Sequence, residues 1–141
     1  MENADVKLAL EEMKMNFREI SIGGDLLDKK AMALFVLIIA MLWYRVESLE
    51  YTYFCLFSLV LLSFVFLPRN YKLPMAAEWG ALNESLFDKE ERDVILTLLS
   101  GYTDQIKNNA RINKIKSLLF SWALYVFVVA SIFTIVGMHG A

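Results

Sequence analysis

The feature that most constrains this chain is an uncharged stretch near its C-terminus, Ser117 to Met138. A helix rises about 1.5 Å per residue, so this stretch extends for about 33 Å. The hydrocarbon core of a bilayer is about 30 Å thick. The sequence therefore predicts an integral membrane protein with a transmembrane helix over 117–138.

Two further apolar runs precede this one, over 31–46 and 51–67, and too few residues separate them for anything but a tight external turn. They predict a transmembrane hairpin over 31–67, which Pro68 ends. The first run is short, about 24 Å, and needs a thinner bilayer or the flanking anchors Trp43 and Tyr44. The expected fold class is an all-α integral membrane protein, with three transmembrane helices and a small cytoplasmic helical domain.

The distribution of positive charge predicts the orientation of these spans. The formal net charge is only −2, but of the 14 Lys and Arg residues only Arg45, at the end of the first run, lies at the turn between the first two spans. The others fall on one side of the predicted membrane, and cations mark the cytoplasmic side. The N-terminus is thus expected inside, with 139–141 as an external tail. A cleavable signal peptide is not expected, because thirty residues rich in charge precede the first apolar run.

The N-terminal segment 1–30 predicts a cytoplasmic amphipathic helix followed by an elbow. Gly23-Gly24 is expected to end the helix at the membrane surface. Mixed charges on its polar face favour a protein partner over anionic lipid. Its apolar residues recur at spacings of four and three, as in a seam for oligomerisation or docking: Val6, Leu10, Met13, Phe17 and Ile20.

The segment 68–116 predicts a cytoplasmic helical hairpin. Pro74 is expected to start a first helix, with an apolar face of Met75, Trp79, Leu82 and Leu86. Asp88 and Glu91 resemble a cap for the second helix, whose buried face is expected to contain Ile95, Leu98 or Leu99, Tyr102 and Ile106.

Since no proline follows Pro74, the second helix is predicted to continue into the last span as one helix of about fifty residues. Gly101 is its weak point. Asn109 and Asn113 continue its seam where apolar residues are expected, and such polar positions commonly fix register or oligomeric state.

The last span carries a partly hydroxylated stripe at spacings of three and four: Ser117, Ser121, Leu124, Val128, Ser131 and Ile135. One interpretation is helix packing, with the hydroxyls bonded to carbonyls one turn earlier. The other is a pore lining in a symmetric oligomer, with Leu124 and Val128 as an apolar constriction.

Catalytic and metal-binding patterns are not expected in this chain. It has no GxGxxG, Walker A, HExxH or GxSxG sequence, and acidic residues at 90–93 suit the first turn of a helix. One cysteine, Cys55, and one histidine, His139, do not make a metal site. No enzyme activity, cofactor or metal is predicted. A basic group of Arg111, Lys114 and Lys116 marks topology or binds a phosphate ligand.

The order of these segments, with Tyr71-Lys72-Leu73-Pro74 and Trp79 before a helix holding Tyr102, Asn109 and Asn113-Lys114, resembles small bacterial transmembrane effectors of antiphage defence, including SLATT-like and nucleotide-signal-gated ones. The resemblance implies a homo-oligomer of four or more copies in the bacterial inner membrane that opens a pore on infection. It also implies a nucleotide second messenger or a nucleotidyltransferase partner. Direct binding of duplex nucleic acid is not expected. The chain lacks the appended nucleotide-sensing domain of the better-known effectors, so its small helical domain would have to sense the signal.

The expected function is therefore a homo-oligomeric channel or pore-forming effector, gated from the cytoplasm, which depolarises or permeabilises the membrane. The alternative is a non-conducting membrane adaptor that docks a partner through its cytoplasmic helices. A lysis protein of the holin type is a third interpretation, against which the sizeable cytoplasmic segment argues.

Overall fold

The computed structural model describes residues 3–44, 49–67 and 91–139. Within these ranges the chain is all-helical, as predicted, and contains no strand. The helices are α1 (Asn3–Tyr44), α2 (Leu49–Phe66) and α3 (Glu91–His139). The predicted helix after Pro74, the Asp88 cap and most of the turn after Tyr44 lie outside the described residues.

The predicted end of the first helix at Gly23-Gly24 is wrong, because α1 continues through both glycines. A glycine inside a helix costs about 1 kcal/mol relative to alanine. Two such residues do not outweigh the hydrogen bonds and packing of a 42-residue helix. Gly24 is itself buried, so one of the two glycines lies on a packed side of the helix.

The predicted continuity between the second helix of 68–116 and the last apolar run is confirmed. Helix α3 contains 49 residues and passes through Gly101 without a break. The last apolar run is thus the C-terminal part of a longer helix.

Two of the described helices are long and apolar enough to cross a membrane: α2, over Leu49–Phe66, and α3, within Asp93–Val136. Only 28% and 17% of these two apolar stretches are buried in the single chain, whereas the core helix of a soluble protein is mostly buried. These features are consistent with a membrane location.

Helix α1 does not meet the same test, so three spans are not confirmed. Its apolar run begins at Ala31 and the helix ends at Tyr44. Extending this run to the length of α2 takes in Asp28, Lys29 and Lys30. The uncharged part of the predicted first span in α1 is therefore about one helical turn shorter than α2.

The chain divides into two compact units. Unit 1 comprises Met1–Gly24 and Arg69–Asn113, and unit 2 comprises Asp25–Pro68 and Lys114–Ala141. Each has a separate cluster of buried apolar side chains.

In unit 1, the start of α1 packs on α3. Val6 and Leu10 are buried against Ile95, and the rings of Phe17 and Tyr102 meet edge to face with centroids 5.9 Å apart. Leu98 and Leu99 pack at the border of this cluster. Burial of each aliphatic side chain contributes about 1.5–3 kcal/mol relative to its exposure to water.

In unit 2, three helices share a core of mixed large and small side chains. The buried residues recur at spacings of three and four on α1 (Ala31, Leu34, Ile38), α2 (Tyr51, Cys55, Ser58, Leu62, Val65) and α3 (Ala123, Phe127, Ala130). Alanine, serine and cysteine at such positions let helix backbones approach closely, which is how helices associate in lipid.

Replacement of Gly23 tests the continuity of α1. A methyl group added at Gly23 meets no atom within 4 Å. We expect Gly23→Ala to raise the free energy of unfolding by about 0.5–1 kcal/mol, because alanine favours a helix interior. Circular dichroism during chemical denaturation of the detergent-solubilised chain measures this change.

The matched variant Gly23→Pro should lose about 3 kcal/mol or more, since proline interrupts a helix interior. A loss of stability in Gly23→Ala would contradict a continuous helix, because it would indicate a glycine-specific backbone at that position.

Candidate functional site

The partly hydroxylated stripe of the last apolar run lies on α3, outside the core of unit 2, and we call it the α3 stripe. Ser117, Ser121, Leu124, Val128 and Ile135 are exposed and Ser131 is half-buried. The core positions Ala123, Phe127 and Ala130 occupy another side of the helix, about a third of a turn away at 100° per residue. Packing within one chain therefore does not account for most of the stripe.

One stripe hydroxyl has a partner within its own helix. Ser131 Oγ donates a hydrogen bond to the Phe127 carbonyl at 2.8 Å, one turn earlier. Thr134 does the same to Ala130 at 2.9 Å. Such bonds satisfy the hydroxyl as a donor without another helix, and the Tyr51 side chain of α2 lies beside the Ser131 hydroxyl.

The other exposed side of this part of α3 is chemically different. It bears large apolar and aromatic side chains, among them Leu118, Trp122 and Phe133, each more than half exposed. Trp122 also meets Tyr125 edge to face, with ring centroids 6.3 Å apart. Lipid chains suit this side, whereas the hydroxyls of the α3 stripe suit water or another helix.

An ion pair lies where the apolar runs of α1 and α3 begin. Lys116 Nζ donates to both carboxylate oxygens of Asp28, at 2.8 and 2.9 Å. The Lys116 side chain is 5% exposed and that of Asp28 is 40% exposed. Both residues belong to unit 2, so the pair fixes the start of one apolar run against the start of the other.

The three predicted anion ligands do not share one surface. Lys114 and Arg111 are exposed, but Lys116 is buried and bonded to Asp28. Lys114 and Lys116 are two residues apart, so they point to nearly opposite sides of α3. Lys116 therefore has a structural contact that sequence reasoning did not predict. An exposed anion site on this part of the helix would not include the Lys116 ammonium group.

A row of polar side chains continues the buried face of α3 within unit 1. Asn109 is buried, and Asn113 donates from Nδ2 to the Ile20 carbonyl of α1 at 2.7 Å. This bond fixes the register of α1 against α3, as expected for a polar seam position.

Gln105 is a further buried member of this row that sequence reasoning did not include. Its Oε1 has no hydrogen-bond partner among the residues that the structure describes. The signal was present in the sequence, since Gln105 lies four residues before Asn109 and eight before Asn113.

The predicted docking seam of α1 is occupied by the same chain at its start. Val6 and Leu10 are buried on Ile95, while Met13, Phe17 and Ile20 are half-buried. A partner protein would have to displace these contacts to use the seam.

No group of three or more His, Cys, Asp or Glu residues that could hold a metal occurs in 3–44, 49–67 or 91–139. Comparisons with protein-family models, with curated proteins and with solved structures find no match to this chain. Function has to be inferred from the residues and their arrangement alone.

Removal of the Lys116 ammonium group tests the ion pair. We expect Lys116→Met to lower the free energy of unfolding by about 1–3 kcal/mol, because a carboxylate in a partly buried site loses its charged donor. Partial exposure of Asp28 limits the loss. Denaturation in mixed micelles, followed by tryptophan fluorescence, measures the effect.

The neighbouring exposed residue provides the control. Lys114→Met should change stability by no more than about 0.5 kcal/mol, and the exchange Lys116→Asp with Asp28→Lys should recover part of the loss. If Lys116→Met and Lys114→Met lower the free energy of unfolding equally, the Lys116–Asp28 pair contributes no stability of its own.

Proposed function

We propose that this protein is a homo-oligomeric channel of the bacterial inner membrane, gated from the cytoplasm, whose subunits place the α3 stripe along a shared path. The observation that carries this proposal is the exposure of the stripe in the single chain. An uncharged, partly hydroxylated face that its own chain leaves mostly uncovered is available to neighbouring copies. Around a common axis its hydroxyls would contact water, and Leu124 and Val128 would close the path by dewetting.

Three crossings per subunit fit this proposal, with the apolar part of α1 as the first. Exposed lysines, Lys29 and Lys30, precede this run, and Trp43 and Tyr44 end it at about 90% exposure. This is the arrangement of a span with cations at one interface and aromatic anchors at the other. The short apolar run would tilt little or sit in a thinned bilayer.

The Lys116–Asp28 bond supports the same topology. It joins residues just before the apolar runs of α1 and α3. Two spans that begin on the same side of a membrane require a returning span between them, and α2 supplies it. Pairing also lowers the cost of a lysine near the hydrocarbon boundary. The excess of cations on this side favours the cytoplasm.

Gating requires a signal that distinguishes closed from open subunits, because only a difference in affinity shifts such an equilibrium. The resemblance to antiphage effectors favours a signal released on infection, such as a nucleotide second messenger from a nucleotidyltransferase partner. Within unit 1, the exposed Arg111 is a candidate contact for its phosphate. Opening would then depolarise the infected cell.

A non-conducting adaptor is the weaker alternative. It would dock its partner through the apolar seam of α1, but Val6 and Leu10 are buried on Ile95 of the same chain. The adaptor would therefore need to open unit 1 before binding.

Substitution in the α3 stripe tests the channel. Ser121→Leu should reduce ion flux through reconstituted vesicles by an order of magnitude or more, because it replaces a hydroxyl with a bulky apolar group in the proposed water path. Dye or potassium efflux after addition of purified protein measures it, at matched amounts of inserted protein.

Ser63→Leu is the matched control. Ser63 is exposed on α2, and its hydroxyl donates to the Val60 carbonyl at 2.7 Å, so the same change adds the same apolar group outside the proposed path. Its flux should equal that of the unsubstituted protein. Equal flux in Ser121→Leu and Ser63→Leu would remove the α3 stripe from the conducting path.

A further inference from the structure

Helix α1 carries a second apolar face in unit 1, apart from the seam that packs on α3. Leu8, Met15 and Ile22 are 63%, 59% and 56% exposed. They recur every seven residues, so they stay within about 40° of one another around the helix. We call them the outer row. The buried Val6 and Leu10 lie on nearly the opposite side of α1.

Charged residues flank the outer row in a regular order. A lysine precedes each of its first two members, Lys7 and Lys14, and a glutamate follows each by four residues, Glu12 and Glu19. In heptad notation, with positions labelled a to g, the outer row occupies position a. The two lysines occupy position g and the two glutamates occupy position e. The g and e positions of neighbouring helices face each other and determine partner and orientation.

This order fits a second copy of the same helix that runs parallel to the first. In a parallel pair each g position faces the e position five residues further along the partner. Lys7 would then face Glu12 of the other copy, and Lys14 would face Glu19. An antiparallel pair would instead place lysine opposite lysine and glutamate opposite glutamate, which is repulsive.

We propose that the outer row is a contact between neighbouring copies of this chain, with parallel α1 helices, in which Lys7 and Lys14 of one copy pair with Glu12 and Glu19 of the next. The inference rests on the proposed function, because copies inserted in one membrane present their N-terminal helices in the same direction. It assigns self-association in unit 1 to a different face from the predicted seam, which the chain uses internally.

The contact is weak when it is not held at a membrane. Glu11 and Arg18 occupy the d positions, which a full coiled coil makes apolar, so the outer row supplies one apolar residue per heptad. Lys14 also donates to Glu11 of its own helix at 2.7 Å, with both side chains largely exposed. Exposed pairs of this kind exchange partners readily. Membrane insertion raises the local concentration and makes such a contact effective.

Disulfide cross-linking tests the position of the contact. The full chain is used in lipid vesicles with Cys55→Ala, so that a single introduced cysteine is present. Met15→Cys should form a cross-linked dimer under mild oxidation. Asn16→Cys is the matched control, because Asn16 is exposed and points about 100° away on the same helix. Its dimer yield should be several-fold lower.

Charge exchange tests the pairing itself. One variant carries Lys7→Glu and Lys14→Glu, another carries Glu12→Lys and Glu19→Lys, and both carry Met15→Cys. Each variant alone should cross-link about fivefold less, the factor that corresponds to about 1 kcal/mol. Mixing the two should restore cross-linking between unlike copies, and this rescue would not occur if the substitutions simply disrupted folding.

Light scattering on the same variants in nanodiscs, corrected for bound lipid, gives the number of copies per complex and separates the two proposals. If the protein is oligomeric but Met15→Cys gives no more cross-linked dimer than Asn16→Cys, the contact is overturned and the proposed channel is not. Chains that remain monomeric would overturn both. A Met15→Cys thiol that is shielded from a water-soluble reagent but never cross-links would also overturn the contact, since another part of the same chain would then cover the outer row.

Discussion

Apolar side chains that a single chain leaves exposed along α2 and α3 are the constraint on which the rest of the structure depends. Phe54, Phe57 and Phe64 on α2 are about half exposed, and the side of α3 that bears Trp122 and Phe133 is similar. In water such surfaces would drive aggregation. In lipid they carry no penalty, and the small residues of the unit 2 core then bring the helices together by close packing.

Polar contacts complement this apolar packing inside each unit. In unit 1, the amide of Asn113 binds the Ile20 carbonyl, and in unit 2 the ammonium group of Lys116 binds Asp28. Apolar seams alone tolerate shifts in register, whereas a buried donor without its acceptor costs about 1–3 kcal/mol. Each unit therefore has a contact that penalises sliding of α1 along α3.

The sequence predicted much of this fold, because spacings of three and four identify the Val6–Leu10 seam and the face around Ile95, and the lack of proline after Pro74 predicts the length of α3. It failed at Gly23-Gly24, where local propensity suggested a break that the rest of a long helix overrides. Lys116 and Asp28 were also missed: charges beside apolar runs indicate topology, but their pairing depends on how distant helices meet. The outer row of α1 became visible only when the structure showed which of its apolar faces the chain covers.

We propose one account of the outward faces of α3 and α1, in which the protein is a membrane subunit whose α3 stripe and outer row both contact other copies. Its central claim is that several copies form one complex around a shared path. The mass of the protein in a nanodisc, by native mass spectrometry with bound lipid subtracted, tests this claim most directly. The account predicts a closed assembly of four or more copies, and a monomer or dimer under gentle extraction would contradict it.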